Sequence, residues 1–149
     1  MGIVPGSGVD AHFAQRARED KKDALFLETV EEQLGFIDDM NKLDPDTVIK
    51  SGIRDINNFE VIWKELLDAW RSGDLNKLEK LGIDEMQRDF PSLFKTLLVD
   101  RNRDWFGDLT ALIETKDIEF ILVGALHMAG DDGLISMLKK DGYEVVQLD

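Results

Sequence analysis

The stretch that decides the predicted fold is IEFILV at residues 118–123, which is followed by GALHMAG at residues 124–130. Its apolar, β-branched composition predicts a buried strand. A short helix after Gly133 and a second apolar run, YEVVQL at residues 143–148, complete a strand–helix–strand unit of about 30 residues. In such a unit we expect the two strands to be parallel, with a right-handed crossover.

A third strand is predicted at residues 24–28, where four apolar residues stand between charged ones. Thr29 follows in the position of a helix N-cap, and Glu32 stands three residues later at the capping-box spacing. Between residues 44 and 115, apolar side chains recur at intervals of three and four, which predicts a large helical insert. Pro45 after Asp44 predicts the start of a helix, and Ser72-Gly73-Asp74 predicts the end of one. The predicted fold class is α/β: a small, mostly parallel sheet with this insert, in a single domain over residues 1–149.

The composition excludes several classes of protein. The chain has 31 acidic and 18 basic side chains, a net charge of −13, whereas nucleic acids and anionic membranes attract a positive surface. The absence of cysteine excludes a disulfide scaffold, a thiolate nucleophile and a cysteine-rich zinc site. No apolar run reaches the roughly 18 to 20 residues of a membrane span, and no signal peptide is recognisable after Met1. We therefore expect neither nucleic acid as a partner nor a membrane span.

Two candidate site residues lie at predicted strand ends, where ligands bind in open α/β sheets. His127 could bind a metal or transfer a proton near pH 7, and Glu28 could serve as a ligand or general base. Gly124 and Gly130 flank the histidine and would let the backbone approach a ligand. The alternatives are a capping or surface carboxylate and a structural histidine, because one His and one Glu do not complete a zinc site.

Arg101 is a third candidate. Phe94, Leu97, Leu98 and Arg101 recur at intervals of three and four, which places the guanidinium on the face of the helix that packs. A buried guanidinium requires a carboxylate or phosphate partner. The alternative is a solvated helix face of mixed charge.

Five short motifs, in order along the chain, resemble the TraB/GumN family, which includes the Tiki proteases. They are Gly8-Val9-Asp10 with Phe13, Leu27-Glu28-Thr29 with Gln33-Leu34, Ala69-Trp70 with Gly73-Asp74, Asp100-Arg101-Asn102, and FILVGALHMAG at 120–130 with its Gly-x-x-His at 124–127. The resemblance covers nearly the whole chain. The family carries two Gly-x-x-His motifs, the first upstream of the Gly-x-Asp region, and this chain has one. We therefore expect an incomplete, C-terminal portion of the domain.

The resemblance implies a peptidase-like, metal-dependent hydrolase. In such an enzyme His127 would be a metal ligand or general base, and Glu28 a second ligand or the base that activates water. Arg101 would stabilise an oxyanion or hold a carboxylate, Asn102 would orient its neighbours, and Gly124 would belong to the binding site. The expected cofactor is a divalent metal ion. Relatives are often exported, which implies a periplasmic or exported location.

A different function is also compatible with these residues: a non-enzymatic module that binds a peptide or protein. The helical insert would then recognise the ligand, and Arg101 would pair with Glu28 for structural reasons. The missing Gly-x-x-His would leave half of the metal site absent, which makes an inactive chain a second expectation. Self-association is a third, because a domain without all its strands exposes sheet edge and apolar surface.

Overall fold

The computed structural model describes residues 6–148, and helices account for 69% of the structure, with no sheet among the described residues. The α-helices are α1 (Val9–Glu19), α2 (Val30–Met40), α3 (Pro45–Ser72), α4 (Leu75–Leu78), α5 (Asp84–Asp89), α6 (Pro91–Phe94), α7 (Arg101–Ile113) and α8 (Leu134–Lys140). Two π-helical turns (Glu79–Ile83 and Lys95–Asp100) lie between α4 and α5 and between α6 and α7, and a 3-10 helix spans Ala125–Met128. Within the described part of the chain, no helix has the length and apolar character needed to cross a membrane.

The predicted α/β class with a small parallel sheet is therefore wrong. The three predicted strands, at residues 24–28, 118–123 and 143–148, are extended or bent segments, and no backbone–backbone hydrogen bond among the described residues joins one of them to another. The predicted burial is also wrong at many positions: Phe26 is 87% exposed and Ile118 is fully exposed. An extended segment becomes a strand only when a neighbour offers donors and acceptors about 4.8 Å away. No such neighbour lies within residues 6–148.

The signals at the helix ends are confirmed. The Thr29 hydroxyl accepts a hydrogen bond from the Glu32 N–H at 3.2 Å, and the Glu32 carboxylate accepts one from the Thr29 N–H at 2.7 Å, which completes the capping box of α2. Asp44 caps α3, with Pro45 at the first helical position. Gly73 ends this helix with a φ of 64°, a conformation that favours glycine.

Two buried clusters hold the helices together. The first contains Ala69, Leu78, Ile83, Leu98 and Ala129, and it joins α3, α4 and both π-helical turns to the residues just after the 3-10 helix. The second contains Trp105, Leu109 and Leu134, with Leu27 and Val123 packed against it. This second cluster brings the ends of two extended segments to α7 and α8. It thereby places the sequence-predicted site residues beside one another.

Candidate functional site

The candidate site is built around the start of α7, where two neighbouring side chains contact two different parts of the chain. Arg101 binds the extended residues 22–28, which we name the glutamate segment. Asn102 binds residues 124–133, which we name the histidine loop. The π-helical turn Lys95–Asp100 leads directly into this pair, and π-helical turns occur frequently at functional sites. All the site residues predicted from the sequence lie in α7, in the glutamate segment or in the histidine loop.

Asn102 is almost wholly buried, with 1% of its surface exposed. Its amide nitrogen donates to the backbone carbonyls of His127 at 3.2 Å and of Asp132 at 2.8 Å. Its carbonyl oxygen Oδ1 lies 2.7 Å from Nδ1 of the His127 ring. Only this orientation of the amide is consistent with two carbonyl acceptors on one side, because an amide oxygen cannot donate to them. The orientation of Asn102 is thus set by the loop that it holds.

The same bond sets the tautomer of His127. Since Oδ1 of Asn102 can only accept, Nδ1 of His127 carries a proton, and in the neutral ring Nε2 keeps its lone pair. Burial, together with the nearby charge of Arg101, lowers the pKa of His127 to about 4, against a smaller opposite effect of Glu28. The ring is therefore neutral at pH 7. A neutral imidazole with a defined lone pair is the form that binds a metal or accepts a proton.

Arg101 and Glu28 form a bidentate ion pair. Nε donates to one carboxylate oxygen at 2.5 Å and Nη2 to the other at 2.9 Å, while Nη1 donates to the backbone carbonyl of Leu97 at 3.2 Å. The guanidinium carbon lies 4.8 Å from the ring centroids of both Phe36 and Trp105, which is within cation–π range. The Glu28 side chain is 7% exposed and that of Arg101 is 22% exposed. Both carboxylate oxygens of Glu28 therefore have a cationic partner.

Glycines shape the histidine loop in different ways. Gly124 accepts a hydrogen bond from the His127 N–H at 2.9 Å, and a Cβ at this position would only touch the edge of the His127 ring, at 3.5 Å. Gly130 has a φ of 79°, where a side chain would be strained. At Gly133 a Cβ would overlap the backbone oxygen of Ala129. The loop therefore depends on Gly130 and Gly133 for its path, while Gly124 leaves space beside the imidazole.

The residues fit the implied divalent metal only in part. Nε2 of His127 is a suitable donor, but Glu28 directs both oxygens to Arg101. Within residues 6–148, no three His, Cys, Asp or Glu side chains are grouped so that they could hold a metal ion. Metal centres in enzymes commonly use three protein ligands. A metal at His127 would thus require donors other than those that the structure describes.

Trp105 is a site residue that we did not predict, since the tryptophans resemble ordinary helix-packing residues. It is 4% exposed, and its ring centroid lies 4.5 Å from that of His127. Its indole N–H is buried and finds no acceptor among the described residues. The signal in the sequence is the spacing of four between Arg101 and Trp105, which places both on one helix face. The ring thus connects the ion pair to the histidine.

Comparisons with known proteins support the resemblance found in the sequence. No curated protein and no solved structure matches the chain significantly. The family model described as "TraB/PrgY/gumN family" matches residues 1–147, which is nearly the whole chain. The chain therefore belongs to the TraB/PrgY/gumN family.

Proposed function

We propose that this protein is a metal-dependent hydrolase of the peptidase type, in which His127 is a metal ligand or the general base. The observation that carries the proposal is the hydrogen bond between Asn102 and His127. In the neutral ring this bond fixes the proton on Nδ1 and leaves the lone pair on Nε2. Both proposed roles require a neutral imidazole with a defined lone pair.

Each neighbouring residue has a place in this proposal. Asn102 is a positioning residue, because it acts on the substrate only through the ring of His127. Arg101 and Glu28 contribute opposite charges near the imidazole, and the indole N–H of Trp105 is a donor for which the described residues offer no acceptor. A metal ion bound at His127 would lower the pKa of its water and so supply a nucleophile at neutral pH.

The test is a comparison of metal binding and peptide hydrolysis between wild type and His127→Gln. Titration calorimetry with zinc and manganese chlorides measures binding, and a set of quenched fluorescent peptides measures hydrolysis. We expect His127→Gln to reduce both by at least about 100-fold, as is usual for loss of a ligand or a catalytic base. His12→Gln is the matched control, because His12 is exposed. Equal binding and hydrolysis in wild type and His127→Gln would contradict the proposal.

A second candidate is a non-enzymatic module that binds a peptide or protein. The observation that favours it is the bidentate pair, because Glu28 is fully engaged by Arg101 and is not presented to a metal or a water. On this view the cluster is structural and fixes the glutamate segment to α7. Peptide binding that persists in the presence of EDTA, together with no hydrolysis by the wild type, would favour this candidate over the hydrolase.

A further inference from the structure

An apolar groove lies between α3 and the part of the chain that runs from the first π-helical turn to α6. One wall is a stripe along α3, formed by Phe59, Ile62, Trp63 and Leu66. The other wall comes from the first π-helical turn, α5 and α6. The cavity measures about 330 Å³, which lies at the small end of the range for ligand pockets. No residue of the histidine loop lines it, so the groove is distinct from the candidate site.

Two aromatic side chains that line this groove are partly exposed. Phe59 is 39% exposed and Trp63 is 36% exposed, and their rings stack with centroids 5.9 Å apart and an angle of 11° between the planes. They lie one helical turn apart on the same face of α3. Large aromatic side chains that line a concave surface are typical anchor points for a bound segment, because they bury much apolar area with little loss of rotamer freedom.

The ionisable residues that line the groove are acidic. They are Asp55 and Glu85. Glu85 shares Arg54 with Asp89, whereas Asp55 forms no ion pair within residues 6–148. The chain as a whole carries a charge of −13. A second copy of the chain would bring this same negative charge to an acidic groove, and an anionic membrane would be repelled, so charge complementarity selects a cationic partner.

We propose that this groove binds a peptide segment that carries a bulky apolar anchor next to lysine or arginine. The apolar residue would fill the space between the two walls, and the basic residue would lie against Asp55. This inference locates the ligand of the second candidate function and is independent of metal binding and hydrolysis. It also gives the chemistry of a partner, which the acidic composition alone does not identify.

The test uses two short dye-labelled peptides. One is composed of leucine, tryptophan and lysine, and the other has glutamate in place of every lysine. Fluorescence polarisation with the full chain should show that the lysine peptide binds and that the glutamate peptide does not. Added salt should weaken the binding, because exposed charges are screened.

Two variants and two matched controls locate the binding. Trp63→Ala removes an anchor and should weaken binding about tenfold, which corresponds to roughly 1.4 kcal/mol. Asp55→Lys reverses the lining charge and should weaken it by a similar factor. Val61→Ala and Glu60→Lys change exposed residues of α3 that do not line the groove, and they should keep the wild-type affinity within about twofold. Asp55→Lys retains a readout if Trp63→Ala fails to fold, because Asp55 is exposed.

Several results would overturn the inference. They are no binding of the lysine peptide, equal binding of the glutamate peptide, or equal losses in the control variants. Light scattering adds another: a wild-type dimer that Trp63→Ala converts to monomer would assign the groove to a second copy. Binding of the lysine peptide by His127→Gln should match wild type, so failure of the hydrolase proposal and failure of this one are distinguishable.

Discussion

The glutamate segment and the histidine loop are held by adjacent residues of α7, yet they differ greatly in how firmly the structure encloses them. In the histidine loop, His127 is 6% exposed and Ala129 is 3% exposed. In the glutamate segment, Leu25 is 78% exposed and Phe26 is 87% exposed. Asn102 satisfies two backbone carbonyls and a ring nitrogen of the loop, whereas Arg101 contacts the segment through the carboxylate of one side chain.

This difference shows that an apolar sequence does not by itself produce a buried element. Both regions follow the same pattern, an apolar run that ends in a reactive side chain. The loop is buried because hydrogen bonds satisfy its backbone and helices cover it. The segment is held by the Glu28 side chain, and beyond the Lys22 N–H, which donates to the Ala17 carbonyl at 2.8 Å, its backbone forms no hydrogen bond with another backbone group among residues 6–148. We therefore expect perturbations of the loop to cost more stability than perturbations of the segment.

The largest effect is expected for Asn102→Ala. This change leaves the Nδ1–H of His127 and the carbonyls of His127 and Asp132 without their partner. Buried polar groups without partners cost about 1–3 kcal/mol each before relaxation, so we expect a loss of about 3 kcal/mol in the free energy of unfolding. Urea denaturation followed by circular dichroism measures it. Asn57→Ala, at an exposed position of α3, is the control and should change stability by less than about 0.5 kcal/mol. A loss below about 1 kcal/mol would contradict the assigned role.

The second effect is a dependence of stability on pH. The pKa of His127 is lowered from 6.5 to about 4 in the folded chain, so between these values the unfolded chain binds a proton that the folded chain does not. The neutral ring of His127 therefore contributes on the order of 2 kcal/mol to the free energy of unfolding. This contribution is fully present above about pH 6.5, falls as the pH drops towards 4, and is lost below that value. Urea denaturation between pH 4 and 7 measures it as the difference between wild type and His127→Gln. Since carboxylates titrate in both proteins, an unchanged difference across this range would show that the folded chain does not keep His127 neutral.

A third comparison uses two glycines. Gly133→Ala would place a Cβ in overlap with the backbone oxygen of Ala129 in the histidine loop, and the required shift should cost about 1–2 kcal/mol. Gly107→Ala lies inside α7, where a Cβ meets nothing within 4 Å, and should stabilise the protein by about 0.5–1 kcal/mol. Thermal unfolding of both variants measures whether each substitution stabilises or destabilises the protein. Equal stabilisation by both substitutions would mean that the loop is looser than the structure indicates.

The smallest effect is expected in the glutamate segment. Glu28→Gln removes the charge that Arg101 binds, and we expect a loss of about 1 kcal/mol, because the guanidinium is partly exposed and keeps its contacts with Phe36 and Trp105. The segment should also open more often, so chymotrypsin should cleave after Phe26 several-fold faster. Glu31→Gln, at an exposed position of α2, should leave the cleavage rate unchanged. Equal rates in Glu28→Gln and wild type would mean that the ion pair does not hold the segment.

The sequence predicts local features of this protein better than its fold. The caps at Thr29 and Asp44 and the glycine at position 73 are set by neighbouring residues, and the structure confirms them. A sheet depends on pairing between segments distant in sequence, and the apolar runs at 24–28 and 118–123 do not reveal whether a partner is present. Their unpaired backbone is the reason that the α/β prediction fails.

The sequence indicated the membership of the candidate site and, in the non-enzymatic alternative, its Arg101–Glu28 pair, but not the hydrogen bonds of Asn102. Motif resemblance indicated Glu28, Arg101, Asn102 and His127, and the structure places them in one connected cluster. The orientation of the Asn102 amide could not be predicted, because it depends on a carbonyl of Asp132, thirty residues away along the chain. Sequence patterns indicate which faces of the helices pack together. Hydrogen bonds within a cluster also depend on interatomic distances, which are determined by the packing itself.

The π-helical turn before α7 gives the site a tolerance to one change in chain length. An α-helix rotates by about 100° for each residue, and a π-helical turn contains an additional residue per turn. Deleting one residue within Lys95–Asp100 would let this turn close as an ordinary α-helix. Because only the additional residue of the turn is lost, helix α7 would keep nearly the same rotation about its axis, and Arg101 and Asn102 would still face their partners. The same deletion in an ordinary α-helical stretch would rotate the following residues by about 100°, so this turn is a place where the chain can lose a residue without losing the site.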